Sequence, residues 1–219
     1  MTELRAILDI SAAQHKHLCP RQVLGARIGL AGGAALGLEL PRRDKRLLII
    51  VETDGCFADG VAAATGCTMG HHTLRLADYG KVGATFVDVK TETTVRLAPQ
   101  LDIREKARQY APEEPKRYYA QLVGYQRMPD NELLSVQAVR LAMPANQIVS
   151  RAGVRVNCAH CGEEIINERE SMVGERPLCA ACAGPAYYEP EELLFTISVK
   201  APKTSVACVD YSHNLVNKD

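Results

Sequence analysis

The stretch Arg46-Leu47-Leu48-Ile49-Ile50-Val51-Glu52-Thr53 decides how the chain is organised. It is short, apolar and rich in β-branched residues, the pattern of a buried strand. Asp54-Gly55 ends it. An alanine-rich segment over about Asp59–Thr65 reads as a short helix, and Gly66–Gly70 as the loop that follows. Ala84–Val89 and Thr93–Leu97 alternate and contain Val, Thr and Phe, so they read as two strands of a hairpin. From about Ile103 to Gln126 the residues suit helix, interrupted by Pro112 and Pro115. Leu133–Leu141 offers one more strand after the turn Pro129-Asp130-Asn131, and Pro144–Ser150 reads as linker.

On the N-terminal side of the strand, residues 20–38 read as a helix with Pro20 in its first turn, where a missing N–H costs nothing. Gly25, Gly29, Gly33 and Gly37 recur every fourth residue and share one helix face. Each glycine costs about 1 kcal/mol of helix propensity. Such a strip is expected where another backbone comes very close, on the sheet or on a dimer mate. A dinucleotide loop does not fit, because GxGxxG is absent and no strand precedes the helix.

The composition fits a packed intracellular protein. The chain has 219 residues, 47% of them hydrophobic and 24% charged. That is room for one domain, or a medium domain with a small module. Lys plus Arg and Asp plus Glu total 26 each, so the net charge is zero. Bulk-charge coating of nucleic acid is therefore not supported. The N-terminus, Met1-Thr2-Glu3-Leu4-Arg5, lacks the apolar run of a signal peptide. The longest apolar stretch, Ile28–Leu38, falls short of the roughly 20 residues that cross a bilayer. A soluble, cytoplasmic protein without membrane contact is expected. In that setting the cysteines point to metal or thiol chemistry rather than disulfides.

Cysteine placement divides the chain. Cys158, Cys161, Cys179 and Cys182 form CxxC-x17-CxxC, a structural-zinc spacing. Two thiolates on each tight turn converge into the tetrahedral sulfur set that Zn2+ prefers. Gly162 can take the positive φ of such a turn. A module of roughly 40 residues buries little core, so metal binding supplies its folding energy. An iron–sulfur cluster is the lesser alternative, and His160 reads as a bystander. Acidic residues offset Arg151, Arg155, Arg169 and Arg176, so charge does not support DNA binding by this module.

The first group is less regular. His15, His17 and Cys19 precede the glycine-spaced helix, which places Cys19 near its N-cap, where amides and dipole favour a thiolate. In an extended segment His15, His17 and Cys19 would share a face. Cys56 lies past the end of the deciding strand and Cys67 in the loop after the next helix, where sites gather in such folds. Three cysteines and one or two histidines can converge on one Zn2+ or other transition metal. The alternative is buried, inert cysteines. Asp54 and Asp59 flank Cys56 as ligands, orienters, or only turn and cap residues. His71-His72 reads as a surface pair.

Four blocks carry a family resemblance: His15-x-His17-x-Cys19-Pro20 before the glycine-spaced helix, Glu52–Asp59, Thr65–Gly70, and Asp78-Tyr79-Gly80-Lys81. In this order, over roughly residues 10–100, they resemble the FmdE family, which takes its name from formylmethanofuran dehydrogenase. The CxxC–CxxC segment resembles the zinc-finger extension of some members. The resemblance implies an α+β fold, with a mixed sheet packed with helices and a small four-cysteine domain of zinc-ribbon or treble-clef type. It also implies an intertwined homodimer and a metal-associated cavity near the His-x-Cys-Pro and Gly-Cys-Thr motifs. Two departures stand out: Lys16 and Arg21 occupy positions where the family usually has glycine, adding charge or bulk at the mouth of the site.

The expected layout is a core over residues 1–150, a zinc finger over 151–190, and a tail over 191–219 in which Leu193–Val199 can form a strand. The expected core metal set is His15, His17, Cys19, Cys56 and Cys67, with Glu52, Asp54, Asp59, Thr68 and Lys81 in support. The preferred function is a metal-binding accessory or sensor protein, in which the zinc finger stabilises the dimer or contacts a protein partner. A metal- or thiolate-dependent enzyme, redox or hydrolytic, is the rival. A zinc-finger transcriptional regulator is the third reading.

Overall fold

The computed structural model describes residues 2–149 and 153–189. The expected tail strand Leu193–Val199 and Cys208 lie outside the described residues. The chain divides into two compact units, Met1–Arg155 with Ile166–Glu168, and Val156–Ile165 with Arg169–Asp219.

In the first unit, helices α1 (Thr2–His15) and α2 (Pro20–Ala35) precede strand β1 (Leu47–Val51) and helix α3 (Cys56–Thr65). Strands β2 (Leu74–Leu76), β3 (Ala84–Asp88) and β4 (Thr94–Pro99) follow. Then come α4 (Ile103–Lys106), a 3-10 turn (Ala107–Gln109), α5 (Arg117–Arg127), α6 (Asp130–Leu133), β5 (Leu134–Ala138) and α7 (Ala145–Ile148). The sheet order is β2-β1-β3-β4-β5. β1 runs parallel to β2, with Ile49 opposite Leu74, and antiparallel to β3, with Ile49 opposite Phe86. β3, β4 and β5 continue antiparallel. The result is an α+β core around a mixed five-stranded sheet.

The side-chain period of two sorts β1 between the sheet faces. Leu47, Ile49 and Val51 join the large core under the helices, with Val23, Ile28, Phe57, Phe86 and Leu97. Leu48 points the other way, into a small cluster with Val87 and Ala145. The 144–149 stretch is therefore not a free linker: α7 covers the second face of the sheet.

The glycine strip has a partner that periodicity alone does not identify. It packs on α3, where a sheet or a dimer mate was expected. A Cβ at Gly25 would lie 2.2 Å from the Phe57 carbonyl oxygen, and one at Gly29 would lie 2.7 Å from the Ala64 Cβ. From the other side, a Cβ at Gly60 would lie 2.3 Å from the Gln22 carbonyl oxygen. The pairing of Gly25 with Phe57–Val61 and of Gly29 with Val61–Thr65 makes α2 and α3 parallel. Gly33 faces Leu40 instead, and Gly37 lies beyond the helix end.

Arg27 on α2 secures α5. Its guanidinium donates to the carbonyl oxygens of Tyr125 and Met128, both at 2.7 Å, at the C-terminal end of that helix. A cation there meets carbonyls that have no partner within the helix.

Several elements go beyond the sequence reading. Helix α1 is one, because its apolar face is narrow: Ile7, Leu8 and Ser11 are buried. α3 begins at Cys56, three residues before the expected start. The three-residue strand β2 is another; it is too short to alternate visibly.

After α7, β6 (Arg155–Asn157) with β7 (Glu164–Ile166) and β8 (Ser171–Val173) with β9 (Arg176–Leu178) form two ribbons, and α8 (Ala180–Ala183) follows. This knuckle, hairpin and short helix have the treble-clef order.

Two predictions test this packing. Gly25→Ala or Gly60→Ala forces a backbone clash and is expected to cost about 3 kcal/mol in urea unfolding followed by helical circular dichroism. Gly70→Ala, with nothing within 4 Å, is expected to be near neutral. The second concerns Asp88, which is buried and takes a bidentate pair from Arg46 at 3.0 and 2.8 Å. The guanidinium holds this carboxyl well below the usual aspartate range. The unfolded chain protonates Asp88 near pH 4 and the folded chain does so only at lower pH. The pair therefore stabilises the fold fully above about pH 5 and progressively less as pH falls below about 4. Asp88→Asn is expected to cost about 2 kcal/mol at neutral pH, with the gap to wild type narrowing below pH 4.

Candidate functional site

Two centres emerge from the cysteines. The first is built by the α2/α3 contact. Parallel helices in close register bring their N-termini together, and each N-terminus carries a cysteine. Cys19 is the N-cap of α2, extended at φ −127° and ψ 160°, with Pro20 as the first helical residue. Cys56 opens α3 directly after Gly55, whose φ of +68° is a left-handed value that favours glycine.

A buried glutamine fixes the Cys19 end. The Cys19 amide donates to the Gln22 Oε1 at 2.8 Å. The Gln22 Nε2 donates to the Ser11 carbonyl at 3.0 Å and to its hydroxyl at 3.1 Å. Gln22 thus closes a capping box at the third helical position and ties α1 to the entry of α2. Sequence reasoning passed over it, although Cys19-x-x-Gln22 is the capping-box spacing.

Cys19 and Cys56 are neighbours at the paired helix ends. Burial first, and then the neighbouring Cys19, push the Cys56 thiol up, while Arg21 opposes the shift. Both cysteines line a cavity of about 670 Å³, which His17, Arg21, Arg104, Tyr118 and Tyr125 also line. Burial pushes the Tyr125 phenol up to about 12, so it stays protonated at neutral pH. Arg104 and Tyr118 lie far from the cysteine motifs in sequence, and no local spacing signals their arrival here.

The remaining expected residues fall elsewhere. His15 is the last residue of α1, and Lys16 has a left-handed φ of +60°. The extended run that would align His15, His17 and Cys19 on one face is therefore broken. Lysine in this left-handed turn costs about 1 kcal/mol. Cys67 is not brought to the cavity. It follows α3, whose ten residues span about 15 Å. Its thiol is buried and faces the Leu47 carbonyl at 3.7 Å, and burial pushes its pKa up. Glu52 is engaged in full: Arg96 donates to both carboxylate oxygens at 2.6 Å. Thr68 pairs with His71 at 3.0 Å in an exposed turn. Asp54 and Lys81 are exposed, and Asp59 lies in the first turn of α3.

The second centre is Cys158, Cys161, Cys179 and Cys182. Their sulfurs lie within 4.8 Å of one another. Among the described residues this is the one group of three or more His, Cys, Asp or Glu side chains so arranged, and His17 does not come that close to Cys19 and Cys56. The Cys161 and Cys179 sulfurs are 3.9 Å apart. Thiolates around one tetrahedral ion with bonds of about 2.3 Å sit about 3.8 Å apart. Gly162, with φ +80°, closes the first knuckle, and its amide donates to the Cys158 carbonyl at 3.0 Å. The Cys179 amide donates to the Cys158 sulfur at 3.3 Å. Amide donors, that of Cys161 foremost, pull the Cys158 thiol down to about 6, and the neighbouring Cys179 pushes Cys182 up to about 12. Crowded thiols resist joint ionisation, and a cation removes that resistance. The cluster fits a zinc-binding domain.

The burial of Cys67 has a direct consequence. Iodoacetamide at pH 8 is expected to leave Cys67 unmodified in the folded chain and to alkylate it at least about 100-fold faster in urea, read by peptide mass spectrometry. Equal rates would place Cys67 at an open site.

Comparison with known proteins agrees with this architecture. Residues 14–135 match the family described as FmdE, molybdenum formylmethanofuran dehydrogenase operon. A probable S-adenosyl-L-methionine-binding protein of Archaeoglobus fulgidus is 30% identical over 197 residues, covering 79% of this chain and 51% of that protein. The chain thus spans about half the length of this curated relative. A solved FmdE-like protein of Syntrophus aciditrophicus, described as of the tungsten formylmethanofuran dehydrogenase type, shares the fold with a TM-score of 0.53. It is 22% identical, and the match covers 85% of this chain and 95% of that one. The family match takes in the glycine-packed helices, the sheet and both cavity cysteines: the chain belongs to the FmdE family.

Proposed function

We propose that this protein is a metal-binding accessory or sensor protein with two unlike centres. The observation that carries the reading is that Cys19, Cys56 and His17 line one cavity of about 670 Å³. Thiol and imidazole donors suit Zn2+ and other borderline or soft ions. Two thiolates with one imidazole would leave a coordination position for an outside ligand, whereas four thiolates close a site. In this reading the four-cysteine centre holds Zn2+ as a structural ion, and the cavity holds a more exchangeable one. An ion bound there supplies a Lewis-acid position and favours the thiolate forms of Cys19 and Cys56. The chain's own contribution is to orient Cys19 through Gln22 and to keep the site in a walled cavity. The homodimer implied by the family belongs to this reading; sedimentation at twice 23.9 kDa would support it, and 23.9 kDa would remove it.

The relative's name raises a second reading, a site for S-adenosyl-L-methionine in the same cavity. Its volume lies within the range of small-molecule sites. That ligand carries a carboxylate that a guanidinium can take, and a sulfonium and an ammonium that Arg21 and Arg104 oppose; the thiol and imidazole donors on the same cavity make the metal reading the preferred one. Equilibrium dialysis with labelled S-adenosyl-L-methionine distinguishes the two.

Elemental analysis of the purified chain tests the proposal. Two ions per chain are expected after dialysis against Zn2+. Cys19→Ser with Cys56→Ser is expected to remove one, and Cys158→Ser with Cys161→Ser the other. A full complement in the Cys19/Cys56 variant would overturn the cavity site. Removal of the ion at Cys158, Cys161, Cys179 and Cys182 by a chelator is expected to unfold the second unit and leave the helical signal of the first. Buried Ile165 and Leu178, worth about 2 kcal/mol each, supply little else to hold that unit.

A further inference from the structure

The cavity beside Cys19 and Cys56 has a charge character that the thiols do not explain. Thirteen residues line it, and none is Asp or Glu. Two are arginines, Arg21 on α2 and Arg104 on α4. Neither makes an ion pair with a carboxylate among the described residues, whereas Arg27, Arg42, Arg46, Arg96, Arg117 and Arg127 all do. The N-termini of α2 and α3, helices of 16 and 10 residues, open on the same space and add positive potential. The rest of the wall is mixed: Leu24, Val82, Tyr118 and Tyr125 give it an apolar and aromatic side, beside the polar His17, Thr53 and Gln121.

Fixed positive charge without a counter-charge raises the local concentration of anions. Guanidinium forks match carboxylate and phosphate oxygens. The apolar and aromatic wall offers contact area that a bare inorganic ion cannot use. We infer that this cavity binds a small organic anion, its carboxylate or phosphate group held by Arg21 and Arg104 and its body packed against Leu24 and Tyr118. The inference stands on the lining and does not require an ion at Cys19 and Cys56.

Isothermal titration of the full-length chain with adenosine monophosphate tests it, with adenosine as the neutral counterpart and inorganic phosphate as the bodiless anion. Each titration is run at low salt with and without a chelator. Saturable binding of the monophosphate at one site per chain is expected, at least tenfold tighter than either adenosine or phosphate. Arg21→Gln and Arg104→Gln are each expected to weaken it about fivefold or more, while Lys90→Gln, a matched charge loss away from the cavity, leaves it unchanged. Both arginines are exposed, so thermal melts of the variants should match wild type. No saturable binding, equal binding of adenosine, or equal binding of phosphate would overturn the inference. So would binding that vanishes with the chelator and ignores both arginine substitutions, a result that would leave the metal reading standing.

Discussion

The backbone contact between α2 and α3 is the constraint from which the rest of the first unit follows. Gly25 and Gly29 on one helix and Gly60 on the other let two main chains touch where a single methyl group would lie within 2.2 to 2.7 Å of the facing atoms. The loss of helix propensity, about 1 kcal/mol per glycine, is offset by dense contact along both helices. Because the helices are parallel, their N-termini lie together, with Cys19 capping one and Cys56 opening the other. A site made from Cys19 and Cys56, 37 positions apart, is thus a consequence of packing at Gly25 and Gly60.

The two cysteine centres differ in what organises them. In the second unit the chain offers a small apolar cluster of Cys158, Ile165 and Leu178, and the four sulfurs lie within 4.8 Å of one another. There the metal and the fold are one problem. In the first unit a large core and the partly buried Arg46–Asp88 and Arg96–Glu52 pairs hold the fold without reference to the cavity. A site that the scaffold does not need is free to exchange its occupant, as the sensor or accessory reading requires.

Much of this is legible in the sequence, and the reasons are local. The aliphatic run Leu47–Val51 could only be a buried strand, and the CxxC pairs carry their geometry in their spacing. The hairpin of β3 and β4 announces itself by alternation. What stays hidden depends on long-range packing. The glycine strip shows that a close partner exists, but periodicity cannot say whether that partner is a sheet, a second copy or α3. Cys67 looks equivalent to Cys56 in spacing, and only the length of α3 sends it to the opposite end. Arg104 and Tyr118 reach the cavity through the α4 and α5 segments, some 50 to 60 residues after Cys56, where no motif marks them.

The central claim is that Cys19 and Cys56 form one metal-competent centre, separate from the four-cysteine centre. Anomalous diffraction at the zinc edge, from crystals grown with added Zn2+, tests it most directly. Two peaks per chain are predicted, one among Cys158, Cys161, Cys179 and Cys182, and one beside the Cys19 and Cys56 sulfurs. A single peak, among Cys158, Cys161, Cys179 and Cys182 alone, would contradict it.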